Sequence, residues 1–261
     1  MLDFSSTKGV LFDLDGVLYV GSQAIEGAVD SIARIRDSGI ACRFVTNTST
    51  LSLESLQQKI NHLGFNIPAN EIISAPQAAL RYLKNQGDPL CRLLLADDVK
   101  KDFAEFRLSD TAPDFIIVGD IGDAWTYQIL NEVFNSLMSG AKLIAIHKNR
   151  FWQTEHGLQM DIGGFIDGLE YASGQQAMII GKPSGDFFRI AVEDMQLLPS
   201  EVAMIGDDID SDVGGAQQAG LPAILVRTGK YRQHYAQASA IKPDLVIDSI
   251  NNLALALGLD N

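Results

Sequence analysis

The chain has 261 residues, 46% of them hydrophobic and 20% charged, enough to bury a sizeable core and too apolar for wholesale disorder. A formal net charge of −13 repels phosphate backbones and anionic lipid, so neither nucleic acid nor a membrane is an expected partner. A small anion can still enter where a local cation reverses the field.

Taken in chain order, Val10–Phe12 predicts a strand and "EGAVDSIARIRDSG" a helix, with Ala28, Ile32 and Ile35 on one face and Gly39 ending it. "IACRFV" is the next strand, closing at Thr46. "SLESLQQKINHLG" follows as a helix with Ser52 as N-cap, Leu53, Leu56, Ile60 and Leu63 on one face, and Gly64 at its C-terminal stop. "EIIS" reads as a short strand and "APQAALRYLKNQG" as a helix. The pattern then restarts: "CRLLLAD", "FIIVGD" and "KLIAIH" are strands, with the helix "AWTYQILNEVFNSLMSG" between the last two. After Lys182 come the helix "SGDFFRIAVEDMQ", the strand "VAMIG", a helix near "VGGAQQAG" and the strand "AILVR". Such alternation predicts an α/β fold, a mostly parallel sheet covered on both faces with right-handed crossovers.

The two cysteines, Cys42 and Cys91, form no CxxC, and the opening "MLDFSSTKGVLF" lacks a basic and apolar leader. The apolar runs are too short to cross a bilayer. A reduced, cytoplasmic setting is therefore expected. His62, His147, His156 and His234 make no HExxH, and GxGxxG, GxxxxGK[ST] and GxSxG are all missing, so a Rossmann cofactor site, a P-loop and a serine hydrolase lack support.

Parallel sheets bind ligands beyond the carboxyl ends of their strands. After Val10–Phe12 comes Asp13, with Asp15 two residues on; after "IACRFV" come Thr46 and Asn47; after "AMII" comes Lys182; after "VAMIG" come Asp207 and Asp208. Each alone is ordinary: a DxDG is usually a turn, a Thr before a helix a cap, a lysine a solvated surface group. Together they suit one reaction. Asp13 and Asp207 can share Mg²⁺, a hard cation that takes oxygen ligands. Lys182 and Thr46 match the oxygens of a phosphoryl group. Asp13 needs no deprotonation to attack phosphorus, and Asp15 can protonate the leaving oxygen and later take a proton from water. A calcium loop at Asp208, Asp210 and Asp212 fails, because Val213 stands where glycine and Ala219 where glutamate is needed.

"DLDGVLY", "FVTNTS", "GKPS" and "IGDDIDSDVGGAQQAG" resemble, in order, the four motifs of the haloacid dehalogenase (HAD) superfamily, and most closely those of its NagD-like subclass IIA. The resemblance covers nearly the whole chain. It implies a HAD-like, Rossmann-like core at 1–86 and 177–261 with helices on both faces, and an inserted α/β cap of the C2 type at 87–176. It implies a Mg²⁺-dependent phosphatase acting on small phosphorylated compounds through an aspartyl-phosphate. By matching position, Asp13 is nucleophile and metal ligand, and Asp15 is acid/base and binds metal through its carbonyl. Thr46, Asn47 and Lys182 hold phosphate, Asp207 is the third protein ligand, and Asp208 and Asp212 belong to the outer shell. An acid at Asp15 separates phosphatases from dehalogenases. The cap would choose the substrate. Its segment "HKNRFWQTEHGLQMDIGG", 147–164, puts forward His147, Lys148, Arg150 and Asp161, although Phe151 and Trp152 also suit a cap core. Caps of this type often pair, so a homodimer through the cap is expected. Two rivals remain: a phospho-acceptor without turnover, as in receiver domains, and a catalytically silent binding protein on the same core.

Overall fold

The computed structural model describes residues 4–154 and 157–259. In chain order the elements are β1 (Gly9–Asp13), β2 (Tyr19–Val20), β3 (Gln23–Ala24), α1 (Ala28–Asp37), β4 (Ala41–Thr46), α2 (Leu53–His62) and β5 (Ile72–Ser74). Next come α3 (Ala75–Lys84), β6 (Leu90–Leu94), α4 (Asp97–Lys100), β7 (Arg107–Leu108), β8 (Phe115–Val118), α5 (Tyr127–Met138), β9 (Lys142–Ala145), β10 (Phe151–Thr154), β11 (Gly157–Met160), α6 (Gly163–Ser173) and β12 (Met178–Ile179). The chain closes with α7 (Gly185–Asp194), β13 (Val202–Gly206), α8 (Gly215–Gln218), β14 (Ala223–Val226), α9 (Gln233–Ala238), β15 (Leu245–Ile247) and α10 (Leu253–Ala256). Among the described residues no helix is long and apolar enough to cross a membrane.

These elements form two compact units. The first holds the chain up to Thr46, Gln57–Ile73 and the chain from Lys182; the second holds Asn47–Leu56 and Ser74–Gly181. The first is built on a six-stranded sheet in the order β15-β14-β13-β1-β4-β5. β1 runs parallel to both β13 and β4 and is buried along its whole length. A strand this apolar on both faces needs cover on both sides, and α1 offers one such face through Ala28, Ile32 and Ile35. The α/β class read from the sequence holds.

The second unit has its own parallel sheet, in the order β12-β9-β8-β6-β7. Its core gathers Ile116, Val118, Val133, Leu137, Leu143 and Ile166, flanked by a stacked Trp125–Phe165 pair with centroids 4.8 Å apart. Two features escaped the sequence reading. Phe151–Thr154 (β10) and Gly157–Met160 (β11) pair antiparallel, and α6 follows β11. In the first unit, the helix expected near "VGGAQQAG" begins as a π-helical turn, Ile209–Gly214, before α8 takes over.

Candidate active site

Strand register brings the acids together. β1 and β13 pair with Phe12 opposite Ile205, so Asp13 and, just beyond Gly206, Asp207 leave the same carboxyl edge side by side. On the other side of β1, Asp13 lies opposite Val45, which brings the buried Thr46 to that edge. Asp212 arrives by the π-helical turn. Asp208 caps this turn by accepting from the amides of Asp210 and Ser211, each at 3.0 Å. Asp212 Oδ2 then accepts from the amides of Asp207 at 3.2 Å and Asp208 at 3.1 Å. A side chain at Gly206 would strike the Asp212 carboxylate.

The result is a buried acid cluster with an ammonium in it. Asp13, Asp207, Asp212 and Lys182 are 7%, 2%, 0% and 2% exposed, and one oxygen from each carboxylate lies within 4.8 Å of the others. Lys182 Nζ stands 2.7 Å from Asp13 Oδ1 and 2.7 Å from Asp212 Oδ1. Asp207 Oδ2 accepts from the Lys230 amide at 2.6 Å, while Asp207 Oδ1 is buried with no hydrogen-bond partner among the described residues. Leaving a carboxylate oxygen buried and bare is costly. An all-oxygen donor set with one oxygen bare and more negative than positive charge fits a hard divalent cation such as Mg²⁺.

The electrostatics agree. Burial, then the charges of Asp13 and Asp212, pushes the Asp207 carboxyl well above the usual carboxylate range, and Lys230 only partly opposes this. Asp212 is also pushed up by burial, against the pull of Lys182. Burial works against the charge on Lys182, but Asp13 and Asp212 outweigh it and hold the ammonium above its usual range. Asp15 has an exposed side chain, yet the surrounding protein raises its carboxyl by desolvation, with Lys59, Lys230 and Lys182 pulling it back. Cations at these positions are what the approach of an anionic substrate requires.

Several of these participants were not singled out from the sequence: Lys59, Thr228, Gly229 and Lys230. Lys59 Nζ sits 4.2 Å over the Tyr19 ring. Lys230 Nζ lies 3.9 Å from Asp208 Oδ2. Thr228, Gly229 and Lys230 follow β14, one more polar strand end of the kind that marked the other motifs.

The remaining sequence candidates belong to the second unit. Asn47 packs its carboxamide into space that a side chain at Gly181 would take. His147 and Asp161 are buried, with Nδ1 and Oδ1 3.9 Å apart, and Asp161 Oδ1 accepts from the Ile162 amide at 2.7 Å. Lys148 is ion-paired to both Asp167 and Glu170 at 2.6 Å. Arg150 is exposed, and its carbonyl accepts from the Asp161 amide at 3.1 Å. Phe151 is half-buried; the side chain of Trp152, and residues 155–156, lie outside the described residues.

The sequence profile of haloacid dehalogenase-like hydrolases matches residues 10–109, and a second, HAD-hydrolase-like profile matches residues 179–253. The human phospholysine phosphohistidine inorganic pyrophosphate phosphatase is 38% identical over 262 residues, covering 98% of this chain and 94% of that protein. This chain belongs to the haloacid dehalogenase-like hydrolases. NagD from E. coli K-12 shares the fold of this HAD hydrolase with a TM-score of 0.82 at 25% identity, over 94% of this chain and 97% of that one. The Mycobacterium tuberculosis glycerol phosphate phosphatase, solved in complex with magnesium, superposes with a TM-score of 0.83 at 25% identity, over 97% of this chain and 78% of that one. The HAD-like fold, the NagD-like subclass and the phosphatase class expected from the motifs all stand.

Proposed function

We propose that this HAD phosphatase is Mg²⁺-dependent and hydrolyses small phosphorylated compounds through an aspartyl-phosphate on Asp13. The observation that carries this reading is the buried Asp207 Oδ1, without a hydrogen-bond partner among the described residues, beside two further carboxylates and the Lys182 ammonium. Asp13, Asp207 and the main-chain carbonyl of Asp15 would hold the ion. Asp212 has one oxygen on two amides and the other on Lys182, which supports its place in the outer shell, with Asp208 as the cap of the turn that carries it. When bound, Mg²⁺ supplies the positive charge that offsets the clustered carboxylates and the charge growing on the phosphoryl oxygens.

The chain's own groups do the rest. Thr46, Asn47 and Lys182 bind and orient the phosphoryl group. The Asp13 carboxylate attacks phosphorus as the bond to the leaving oxygen breaks, and Asp15 gives that oxygen its proton. Asp15 then takes a proton from water, the water oxygen attacks phosphorus, and phosphate leaves as the Asp13 carboxylate is restored. The raised carboxyl of Asp15 suits a group that must both give and take a proton.

The reading assigns substrate choice to the cap at 87–176, a stretch that lies wholly within the second compact unit. His147, Lys148, Arg150 and Asp161 are its specificity residues. The human relative is named for phosphoamides and pyrophosphate, and the mycobacterial one for glycerol phosphate, so the substrate class spans P–N, P–O–P and P–O–C bonds. A homodimer through the cap completes the reading; Tyr127, Met160 and Tyr171 are exposed there at 83%, 64% and 93%.

The test is phosphate release from p-nitrophenyl phosphate, pyrophosphate, phospholysine and glycerol phosphate, with and without chelator. Asp13→Asn is expected to be folded and inactive, and normal turnover by that variant ends the proposal. Chelator is expected to stop turnover and Mg²⁺ to restore it. Persistent phosphorylation of Asp13 by acetyl phosphate without turnover, read by intact mass, favours the phospho-acceptor instead.

A further inference from the structure

Beyond β14 the chain turns back through Thr228, Gly229 and Lys230, and each of the three touches the loops that carry the acids. Thr228 Oγ1 donates to the main-chain carbonyl of Gly16. Gly229 and Gly16 face one another, both with positive φ, +56° and +92°. A Cβ on Gly16 would lie 3.1 Å from Gly229 Cα and would collide with the Asp207 carboxylate, as would a Cβ on Gly229. The Lys230 amide donates to Asp207 Oδ2 at 2.6 Å. Of the two Asp207 oxygens, Oδ1 remains, buried and without a hydrogen-bond partner among the described residues.

We propose that the Thr228–Lys230 turn is a positioning element for the divalent-cation site: it locks Asp207 Oδ2 on a backbone amide so that Oδ1 alone faces the cation. The inference rests on the metal reading above. Rotation of a carboxylate about its last torsion is broad and two-fold, so an unrestrained Asp207 would present its oxygens interchangeably. A hydrogen bond from a main-chain N–H to a charged carboxylate removes that freedom at little entropic cost, because the amide is already fixed by the turn. The facing glycines let the turn and the Asp15–Gly16 loop close on the carboxylate from both sides, and any side chain there would displace it. Thr228 is the side chain that docks the turn onto the Gly16 loop, and thereby sets where the Lys230 amide stands. None of the three residues needs to touch the ion or the substrate.

The experiment is calorimetric titration of Mg²⁺ into the wild-type chain, Thr228→Val, Thr228→Ser and Gly229→Ala at neutral pH, with melting temperatures taken in chelator. Partners that hold a metal-ligating group typically carry about 10- to 100-fold in affinity, so T228V and G229A are expected to bind Mg²⁺ at least about tenfold more weakly. T228S keeps the hydroxyl and is expected to bind as wild type. Wild-type affinity in T228V or G229A overturns the proposal, and so does a T228S as weak as T228V. A melting temperature that falls in chelator while affinity stays unchanged also overturns it, since the turn is then merely structural. Should T228V not fold, Thr228→Ala takes its place with the same criteria. A wild-type chain that binds no Mg²⁺ sinks the metal reading along with this one; tight wild-type binding with an indifferent T228V sinks this one alone.

Discussion

Lys182 holds its ammonium 2.7 Å from Asp13 Oδ1, with both side chains buried. The same nitrogen reaches Asp212. One cation thus ties Asp13 to Asp212, which lie far apart in the chain and meet because β1 and β13 are neighbours in the first unit's sheet. Lys182→Met leaves three carboxylates facing each other without that charge. Removing one partner of a buried pair costs about 3–5 kcal/mol, and the loss is expected in urea unfolding in chelator, with Mg²⁺ restoring more of it than it adds to wild type. Turnover is expected to fall at least about a hundredfold, the scale of one lost electrostatic contact to a reacting group. A K182M enzyme with wild-type kcat contradicts the assignment.

The acid cluster also sets an unusual pH dependence. Burial and like charge raise the Asp207 carboxyl, and burial raises Asp212 to about 7. Between about pH 4, where an unfolded carboxylate titrates, and about pH 7, the native state keeps protons that the unfolded chain has lost. The unfolded state binds fewer protons there, so metal-free stability falls as pH rises through this window. Mg²⁺ competes with those protons, so its stabilisation grows with pH. Melting temperatures from pH 5 to 8, in chelator and in Mg²⁺, are expected to diverge; parallel or converging curves would count against a cation among these acids.

Asp207→Asn isolates the same point. The amide removes a charge that burial penalises, and each unit by which a pKa is raised is about 1.4 kcal/mol of native-state cost once the group is ionised. At pH 8 in chelator D207N is expected to be more stable than wild type, and to gain nothing from Mg²⁺. An active site that trades stability for charge behaves this way. A destabilised D207N that still responds to Mg²⁺ contradicts it.

The site was legible where a side chain ends an apolar run. Asp13, Thr46 and Asp207 end or directly follow strands of the first unit's sheet, and a parallel sheet must bring such ends to one edge. Lys182 instead comes after β12, an exposed and half-buried pair in the second unit's sheet, so that rule does not account for it. What did not show is what works through the backbone. The Lys230 amide and the fit of Gly16 against Gly229 have no side-chain signature, although the polar "RTGK" after β14 was the same kind of strand end. Helix α6 was hidden for another reason. It opens on Gly163 and Gly164 without a side-chain cap, because Gly163 must pass close to the carbonyls of Lys148 and Asn149. Local propensity speaks against a helix there, and tertiary packing overrides it.

Asp98 illustrates order imposed from a distance. Its Oδ2 accepts from the Ser52 amide at 2.8 Å and its Oδ1 pairs with Lys101 at 2.6 Å, while Asp102 accepts from the Leu53 amide at 2.9 Å. Asp98 of α4 and Asp102 of the 3-10 turn after it thus satisfy orphan donors at the start of α2. Lys101 first, then the Ser52 amide, holds the Asp98 carboxyl below its usual range. A depressed carboxyl stabilises above its unfolded pKa and loses that contribution as pH falls. Asp98→Ala is expected to cost about 1 kcal/mol at pH 7 by urea unfolding, shrinking below about pH 4. A penalty independent of pH would refute the charge-based cap.

In the second unit, Glu170 is buried and divides its carboxylate between two tasks: Oε2 meets Lys148 at 2.6 Å and Oε1 accepts from the Ala177 amide at 3.0 Å. The pair therefore ties the segment after β9 to the segment after α6. Glu170→Ala strips a partner from both, and a lost bond to a charged group together with an unsatisfied amide costs about 1–3 kcal/mol. Lys148→Met leaves the Ala177 bond in place and lets Asp167, which is 71% exposed, return to water, so its cost is expected to be smaller. If Lys148 also reads substrate, K148M changes the ratio of kcat/KM between pyrophosphate and p-nitrophenyl phosphate, whereas E170A, once folded, changes it only through Lys148. Urea unfolding and the two-substrate ratio measured on both variants separate the contributions. A K148M enzyme with the wild-type ratio and a lower unfolding midpoint assigns this lysine to the fold and leaves specificity to His147, Arg150 and Asp161.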